Sequence, residues 1–387
     1  MMRIALLMLT ADRGRFIGIV TGVTFAALLI TQQMSIFLGL LGRAGAPVQD
    51  VRQAQVWVMD PSQHAVDLDG VRPMGATALW RVRGVDGVAW AVEHLRVPIA
   101  VALGDGARRS AMLVGIDADA WVGAPPTLIQ GTWEDLRRSD AVIVDEDGAT
   151  KLWRPNPDGT RRPLAVGDEV EINDHRAVVV GVARSTRAIF FAPPIWTTVE
   201  RAKTWIPPQR RDVSYIVAGV APGHDPGAVA AGIAARTGLR AVTGPDFIAD
   251  SSGFFARNTG VPINFGIAVV LGFMVGVAVA GLLFLQIVRE NLRYLGALKA
   301  MGAENGLLVR MTVLQAVVVG AIGYGLGIGL AALMGHLAGG GTRTLAWEMP
   351  PWLLLGTGAA VLLIVLVAAL LGVRRVITLE PAVVFRG

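Results

Sequence analysis

The chain has 387 residues, 53% of them hydrophobic, and a mean hydropathy of +0.53, which is too apolar for a soluble protein of this length and points to several membrane spans. The formal charge of +5 does not mark a nucleic-acid binder, because residues 43–261 are close to neutral, with 24 Lys and Arg against 25 Asp and Glu. The excess sits in short flanking segments, where it reads as topology and contact with membrane lipids, and the absence of cysteine excludes disulfide and thiol chemistry.

Residues 1–15 place Ile4, Leu7, Met8 and Ala11 at helical spacing beside Arg3, Thr10 and Asp12, the pattern of a short cytoplasmic helix lying in the membrane interface. A plain leader tail fits its first few residues equally well. Residues 16–42 form the first apolar run. A signal peptide is the rival reading, since Ala44-Gly45-Ala46 mimics a cleavage site, but the run far exceeds the roughly 7–15 residues of a signal core.

The segment 43–261 alternates strand-like and helix-like pieces and is expected to be an α+β domain of two lobes. Strand candidates are 55–59, 97–103, 111–116, 141–144, 169–172, 177–182 and 214–220, rich in β-branched residues and bounded by Gly, Pro or Asp. Helix candidates are 75–82, 194–205 and 226–237, the last with Pro226 in a first turn that tolerates it. The middle strands are expected to form a lobe inserted into a β-α-β frame. No internal repeat is present.

Three more apolar runs follow, 262–288, 307–337 and 352–373, each long enough for a hydrocarbon core about 30 Å thick. They leave 289–306 and 338–351 as short loops and 374–387 as a tail. Ten bases flank the runs in 1–15, 289–310 and 374–387, whereas the other short loop holds only Arg343. The bias toward cytoplasmic Lys and Arg therefore puts both termini and the 289–306 loop inside and 43–261 outside. Since no proline occurs between Pro262 and Pro350, the second span is expected to continue as a helical rod toward Leu298.

The chemistry of a catalyst is hard to find here. No phosphate-cradling Gly-x-x-x-x-Gly-Lys-Ser/Thr loop exists, nor His-Glu-x-x-His, Gly-x-Ser-x-Gly or a calcium loop. The five histidines have no metal-ligand spacing, and the acidic run Asp145-Glu146-Asp147-Gly148 reads as a solvated turn. No catalytic, cofactor-binding or metal residue is assigned. Span interiors carry no central acid or base, unlike ion-coupled transporters.

Glycines recur where helices would touch: Gly18 and Gly22, Gly272 and Gly276, then Gly320, Gly323, Gly325, Gly327 and Gly329. Small residues let membrane helices approach, so Gly18, Gly22, Gly272, Gly276, Gly320, Gly323 and Gly327 are read as packing positions. A flexible substrate path through 320–329 is the other reading. Between the second and third runs, Leu292, Leu295, Leu298 and Met301 recur every third residue among Arg289, Glu290, Arg293 and Lys299. Such a segment offers a ridge to a soluble partner's groove, or simply rests on headgroups.

The wording from Glu290 through Leu298-Lys299-Ala300-Met301-Gly302-Ala303, with Gln315 and the Gly320–Gly327 run, resembles the signature of FtsX/MacB-type (type VII) ABC permeases. Leu-Lys-Ala-Met-Gly and the ending Glu380-Pro381-Ala382-Val383-Val384-Phe385-Arg386-Gly387 are most similar to the DevC branch, and 166–182 is similar to a strand pair of the family's periplasmic domain. The chain departs from relatives at Gly296-Ala297, where they often carry larger residues.

The resemblance implies a polytopic α-helical inner-membrane protein, four spans with a large periplasmic domain between the first two, acting as a homodimer. It implies two copies of a separate ABC ATPase, which would hold the ATP and Mg, docked on the 289–302 loop. Glu290, Arg293, Leu295, Leu298, Lys299, Met301 and Gly302 would be the coupling residues. A periplasmic adaptor (membrane fusion protein) and an outer-membrane channel would complete an exporter of lipid, peptide or hydrophobic compounds, driven by mechanotransmission. The alternatives are a signalling scaffold that activates a periplasmic cell-wall hydrolase, and a membrane-anchored enzyme.

Overall fold

The computed structural model describes residues 7–10, 12–70, 72–103, 107–156, 158–189, 192–207, 213–291, 294, 296–297, 299, 301–339 and 345–377. The chain divides into a unit made of residues 1–40 with 260–387 and a second unit of residues 41–259. Its first long helix, α1 (Arg13–Ala44), is followed after Gly45 by the short α2 (Ala46–Asp50).

The second unit is built on a long mixed sheet. β1 (Val56–Met59), β2 (Val88–Ala102), β3 (Arg108–Ile116), β4 (Thr127–Gln130) and β5 (Ala141–Asp145) come first, with α3 (Ala78–Arg83) before β2. Then come α4 (Glu146–Lys151), the small hairpin β6 (Arg154–Pro155) and β7 (Arg161–Arg162), β8 (Glu169–Ile172), β9 (His175–Arg184) and β10 (Pro194–Thr198). The unit ends with α5 (Val199–Trp205), β11 (Tyr215–Val220), α6 (Pro226–Thr237), β12 (Arg240–Thr243) and α7 (Gly244–Asn258).

Strand β2 holds the two lobes together. Its first half pairs with β11, which continues through β1 to β12, and α3 and α6 supply the core on one face with Val82, Val229 and Ile233. Its second half pairs with β3, and the pairing runs on through β10, β5, β9 and β8 back to β2 at Val101 and Ala102, so the strands close on themselves. Alternate side chains of these strands, Leu95, Val97, Ile99 and Val101 with Leu113, Val142, Val144, Val170, Ile172 and Val179, fill the interior. Strand alternation sends Met112, Val114, Ile143 and Trp196 to a separate outer cluster.

Two sequence expectations need correction here. Residues 194–205 are not one helix: Pro194–Thr198 is β10, lying parallel to β3 with Ile195 opposite Leu113, and only Val199–Trp205 is helical. The β-branched and aromatic run Ile195-Trp196-Thr197-Thr198 favours the strand, and the Thr198 hydroxyl accepts from the Arg201 N–H to start the helix. Asp145 is not in a solvated turn; it is buried at the N-cap of α4, accepting from the Gly148 N–H at 3.0 Å and from the Ser185 N–H and hydroxyl at 3.0 and 2.7 Å. Burial pushes its carboxyl upward, against those hydrogen bonds.

The remaining long helices are α8 (Val261–Glu290), α9 (Asn305–Gly339) and α10 (Pro351–Ile377). Together with α1 they are four helices long and apolar enough to cross a membrane. Their shared core gathers Ile19, Val23, Ala26 and Ala27 of α1, Ala280 and Phe284 of α8, Ala316 and Val319 of α9, and Ile364, Val365 and Ala368 of α10. Among the described residues, polar contacts that cross it include the Thr31 and Thr357 hydroxyls at 3.3 Å and the Tyr324 hydroxyl donating to the Leu354 carbonyl at 3.0 Å.

Glycine sets how near these helices come. A Cβ on Gly327 would lie 2.5 Å from the Ala27 Cβ and 2.8 Å from the Thr24 carbonyl oxygen, whereas one on Gly329 would meet nothing within 4 Å. Gly327→Leu should therefore cost about 1–3 kcal/mol of stability by overpacking, and Gly329→Leu less than about 0.5 kcal/mol. Unfolding of the full chain in detergent reads the difference; equal losses would contradict the packing described.

Candidate coupling site

The second span does not continue as a rod to Leu298. α8 stops at Glu290, and Asn291 closes it, its N–H and its Nδ2 both donating to the Ile287 carbonyl at 3.1 and 2.9 Å. An asparagine in that position competes for the last carbonyls and ends the helix that a proline-free stretch allowed. At 30 residues α8 is about 45 Å long. Beyond it residues 294, 296–297 and 299 are helical again.

Of the coupling residues read from the sequence, Arg293, Leu295 and Leu298 lie outside the described residues. Met301 is 76% exposed and Tyr294, which that reading passed over, 68%. The Met301 N–H donates to the Ala297 carbonyl at 3.0 Å and the Gly302 N–H to that of Lys299 at 3.1 Å. Gly302 then turns the chain at φ +94°, a conformation that strains any residue with a Cβ, and α9 begins three residues later. The Glu290 carboxylate pairs with Arg15 near the start of α1. Arg15 also meets Asp12, whose carboxylate lies 3.2 Å from the Arg15 Nε and accepts from the Arg15 N–H at 3.2 Å. Leu9, 2% exposed, joins the same apolar cluster as Ile287.

Along the spans several glycines fall on helix contacts, while Gly325 and Gly329 meet nothing within 4 Å. A Cβ on Gly22 would lie 2.5 Å from Val279 Cγ1, one on Gly276 2.7 Å from the Ala26 Cβ, and one on Gly272 3.4 Å from the Leu29 Cβ. Gly18 faces Leu283 at 3.8 Å, Gly323 faces Val23 at 2.7 Å and Gly320 faces Val365 at 3.1 Å. α1 therefore lies notched against α8 on one side and α9 on the other.

Within the 41–259 unit the chain leaving α1 is held by the helix that leads into α8. The Ser252 hydroxyl of α7 donates to the Leu41 carbonyl at 3.1 Å, and a Cβ on Gly45 would lie 2.7 Å from Ile248. Asp50 at the end of α2 then accepts from the Thr186 N–H and hydroxyl at 2.8 and 2.6 Å, fastening α2 to the loop after β9. Burial raises the Asp50 carboxyl while the Thr186 hydrogen bonds oppose it.

Beside this fastening lies a cavity of about 40 Å³ lined by Asp50, Asp67, His94, Arg96 and Thr186. Arg96 is paired there with Asp67, its Nε 3.0 and 3.1 Å from the two carboxylate oxygens. Among the described residues neither His94 ring nitrogen has a hydrogen-bond partner, and Trp57 packs edge-on against the ring at 5.6 Å. Sequence reading missed this cluster, since nothing marks His94 as buried except the alternation of β2. No group of three or more His, Cys, Asp or Glu among the described residues could hold a metal ion.

A unit of four helices long and apolar enough to cross a membrane, with a large α/β domain between the first two in the sequence, defines a polytopic membrane protein. The MacB-like periplasmic core domain model matches residues 16–236 and that of the FtsX-like permease C-terminal matches residues 266–381. The chain belongs to the MacB/FtsX-type permease family, and is a multi-pass inner-membrane protein with a periplasmic domain. It has the role of an ABC transporter permease, and the family implies an ABC ATPase partner.

Among solved structures, the extracellular domain of the noncanonic ABC-type transporter YknZ from Gram-positive bacteria is 15% identical, covering 49% of this chain and 98% of that one at a TM-score of 0.34. The periplasmic region of MacB from Actinobacillus actinomycetemcomitans is 12% identical over 51% of this chain and 92% of that one, with a TM-score of 0.37. A domain of a putative permease protein from Porphyromonas gingivalis is 16% identical over 51% and 90%, with a TM-score of 0.33. No curated protein matches the sequence.

Burial, with Arg96 adding to it, pushes the His94 imidazole from 6.5 down to about 3. The unfolded chain thus takes up this proton near pH 6.5 and the folded chain only near 3, so stability is full above 6.5 and falls as the pH drops below it. The slope is at most about 1.4 kcal/mol per pH unit. The raised carboxyls of Asp50 and Asp145 act in the opposite sense and are common to the wild type and His94→Phe. The variant should therefore lose stability less steeply than the wild type as acid is added, in full-chain unfolding; parallel curves would contradict a buried neutral His94.

Proposed function

We propose that this chain is the moving membrane part of an exporter whose power comes from two copies of a separate ABC ATPase. The observation that carries the reading is the segment after α8, which leaves the membrane bundle with Tyr294 and Met301 exposed and is turned back at Gly302. The ATPase grips this segment through Leu295, Leu298 and Met301, with Arg293 and Lys299 as polar contacts, and its closure displaces α8. Because α1 is notched onto α8 through Gly18, Gly22, Gly272 and Gly276, the first two spans shift together.

That shift reaches the periplasmic domain by way of α7 and α2, where Ser252 and Asp50 hold the chain. The permease works as a homodimer, with a periplasmic adaptor and an outer-membrane channel receiving a lipid, peptide or other hydrophobic cargo. The Leu298–Gly302 wording and the 380–387 ending favour the DevC branch of the family. ATP and Mg are held by the ATPase.

Leu298→Asp places a charge on the docking ridge and should remove the ATPase from the purified full-length permease while its unfolding transition stays unchanged. ATPase retained at wild-type stoichiometry would take the segment out of the mechanism.

A further inference from the structure

Glu290 is the last helical residue of α8 and, beside Arg289, one of the first charges of the coupling segment. Its carboxylate is already engaged by Arg15, whose guanidinium also lies against Asp12. The side chains are 31% exposed for Arg15 and 45% for Glu290, so the pair sits at the rim of the bundle and is not deeply buried. Leu9 buries its side chain in the apolar cluster that holds Ile287, one turn before Glu290. An ion pair from the first turn of α1 therefore reaches the last residue of α8, and Leu9, ahead of α1, shares an apolar cluster with Ile287.

We propose that Arg15 is a positioning residue of the coupling step, an ionic clasp that makes the start of α1 and the coupling segment move as one body. This rests on the permease reading. In water such a pair is worth little as stability, about 0–1 kcal/mol, so its value lies in direction. A displacement of the coupling segment passes through Glu290 and Arg15 into the first turn of α1 as well as along α8. Without the clasp, the coupling segment turns on the Asn291 break, and α1 follows only through the glycine contacts deeper in the bundle. Glu290 is on this account a contact to the protein's own first span, not to the ATPase.

Charge exchange tests it in the full chain, reconstituted in nanodiscs with the ABC ATPase that copurifies with it from native membranes. Arg15→Glu and Glu290→Arg should each retain the ATPase in pull-down but lower permease-stimulated ATP hydrolysis about fivefold or more. The double variant Arg15→Glu/Glu290→Arg should restore it to within about twofold. A merely structural role would lower the unfolding transition of the single variants, whereas the clasp leaves that transition and ATPase binding at wild-type level while stimulation falls.

Hydrogen exchange at Ser185 and Thr186 gives a second readout: its response to ATP should vanish in the single variants and return in the double. Single variants with wild-type stimulation, or a double variant as impaired as the singles, would overturn the clasp. A wild-type chain that neither binds nor stimulates any ATPase would instead overturn the permease reading, and the clasp with it.

Discussion

The close contact of α1 with α8 and α9 is the constraint on which the rest depends. Lipid tails are as apolar as the helices, so no hydrophobic force drives the spans together, and packing contacts must hold them. Gly22 against Val279, Gly276 against Ala26 and Gly327 against Ala27 let the backbones approach to a distance that any side chain would prevent. Each span keeps its backbone hydrogen bonds within itself, which is the only way to cross the hydrocarbon core without orphaned polar groups. The bundle thereby has a fixed internal register, and a push on one helix is felt by its neighbours.

The periplasmic domain answers the same need differently. It has water on its surface and a conventional core, closed around β2, β3, β10, β5, β9 and β8 by alternating apolar side chains. β2 belongs to both lobes, so a rotation of one lobe about the other must bend or twist that strand. Asp50 with Thr186 and Asp67 with Arg96 lie where the lobes meet, together with a histidine kept neutral by its surroundings. Polar groups at such a junction fix direction better than apolar ones, because a hydrogen bond has a preferred geometry and dispersion does not.

Much of the architecture is legible in the sequence because it rests on composition and local signals. Four apolar runs mark the spans, and Pro226 with Asp225 ahead of it marks α6, whose N-cap side chain accepts from the Ala228 N–H. What escapes depends on contacts between distant segments. Residues 194–198 carry a strand-favouring run too short to separate from the helical 199–205 by pattern alone, and pairing with β3 and β5 on either side decides it. α7 has a capping signal in Thr243 and Pro245, but its buried face of Phe247, Ser251 and Phe255 is too sparse to mark it by apolar spacing. The break at Asn291 is decided by one side chain on one carbonyl. Of the candidate site, the spacing of the leucines over 289–302 and the recurrence of glycine in the spans are visible in the sequence; the partner of Glu290 is not, since an acid in the second span's exit carries no mark of the arginine before the first.

The central claim is that nucleotide-driven motion delivered to the membrane bundle is expressed in the periplasmic domain. Because the chain has no cysteine, Ile129→Cys, at a 40% exposed position of β4, accepts a single spin label per copy. Label-to-label distances between permease copies in the proposed homodimer, measured with the bound ATPase empty and then trapped with ATP, test it directly. The account predicts a distance distribution that shifts on trapping and returns after hydrolysis. An unchanged distribution while ATP is being consumed would contradict it.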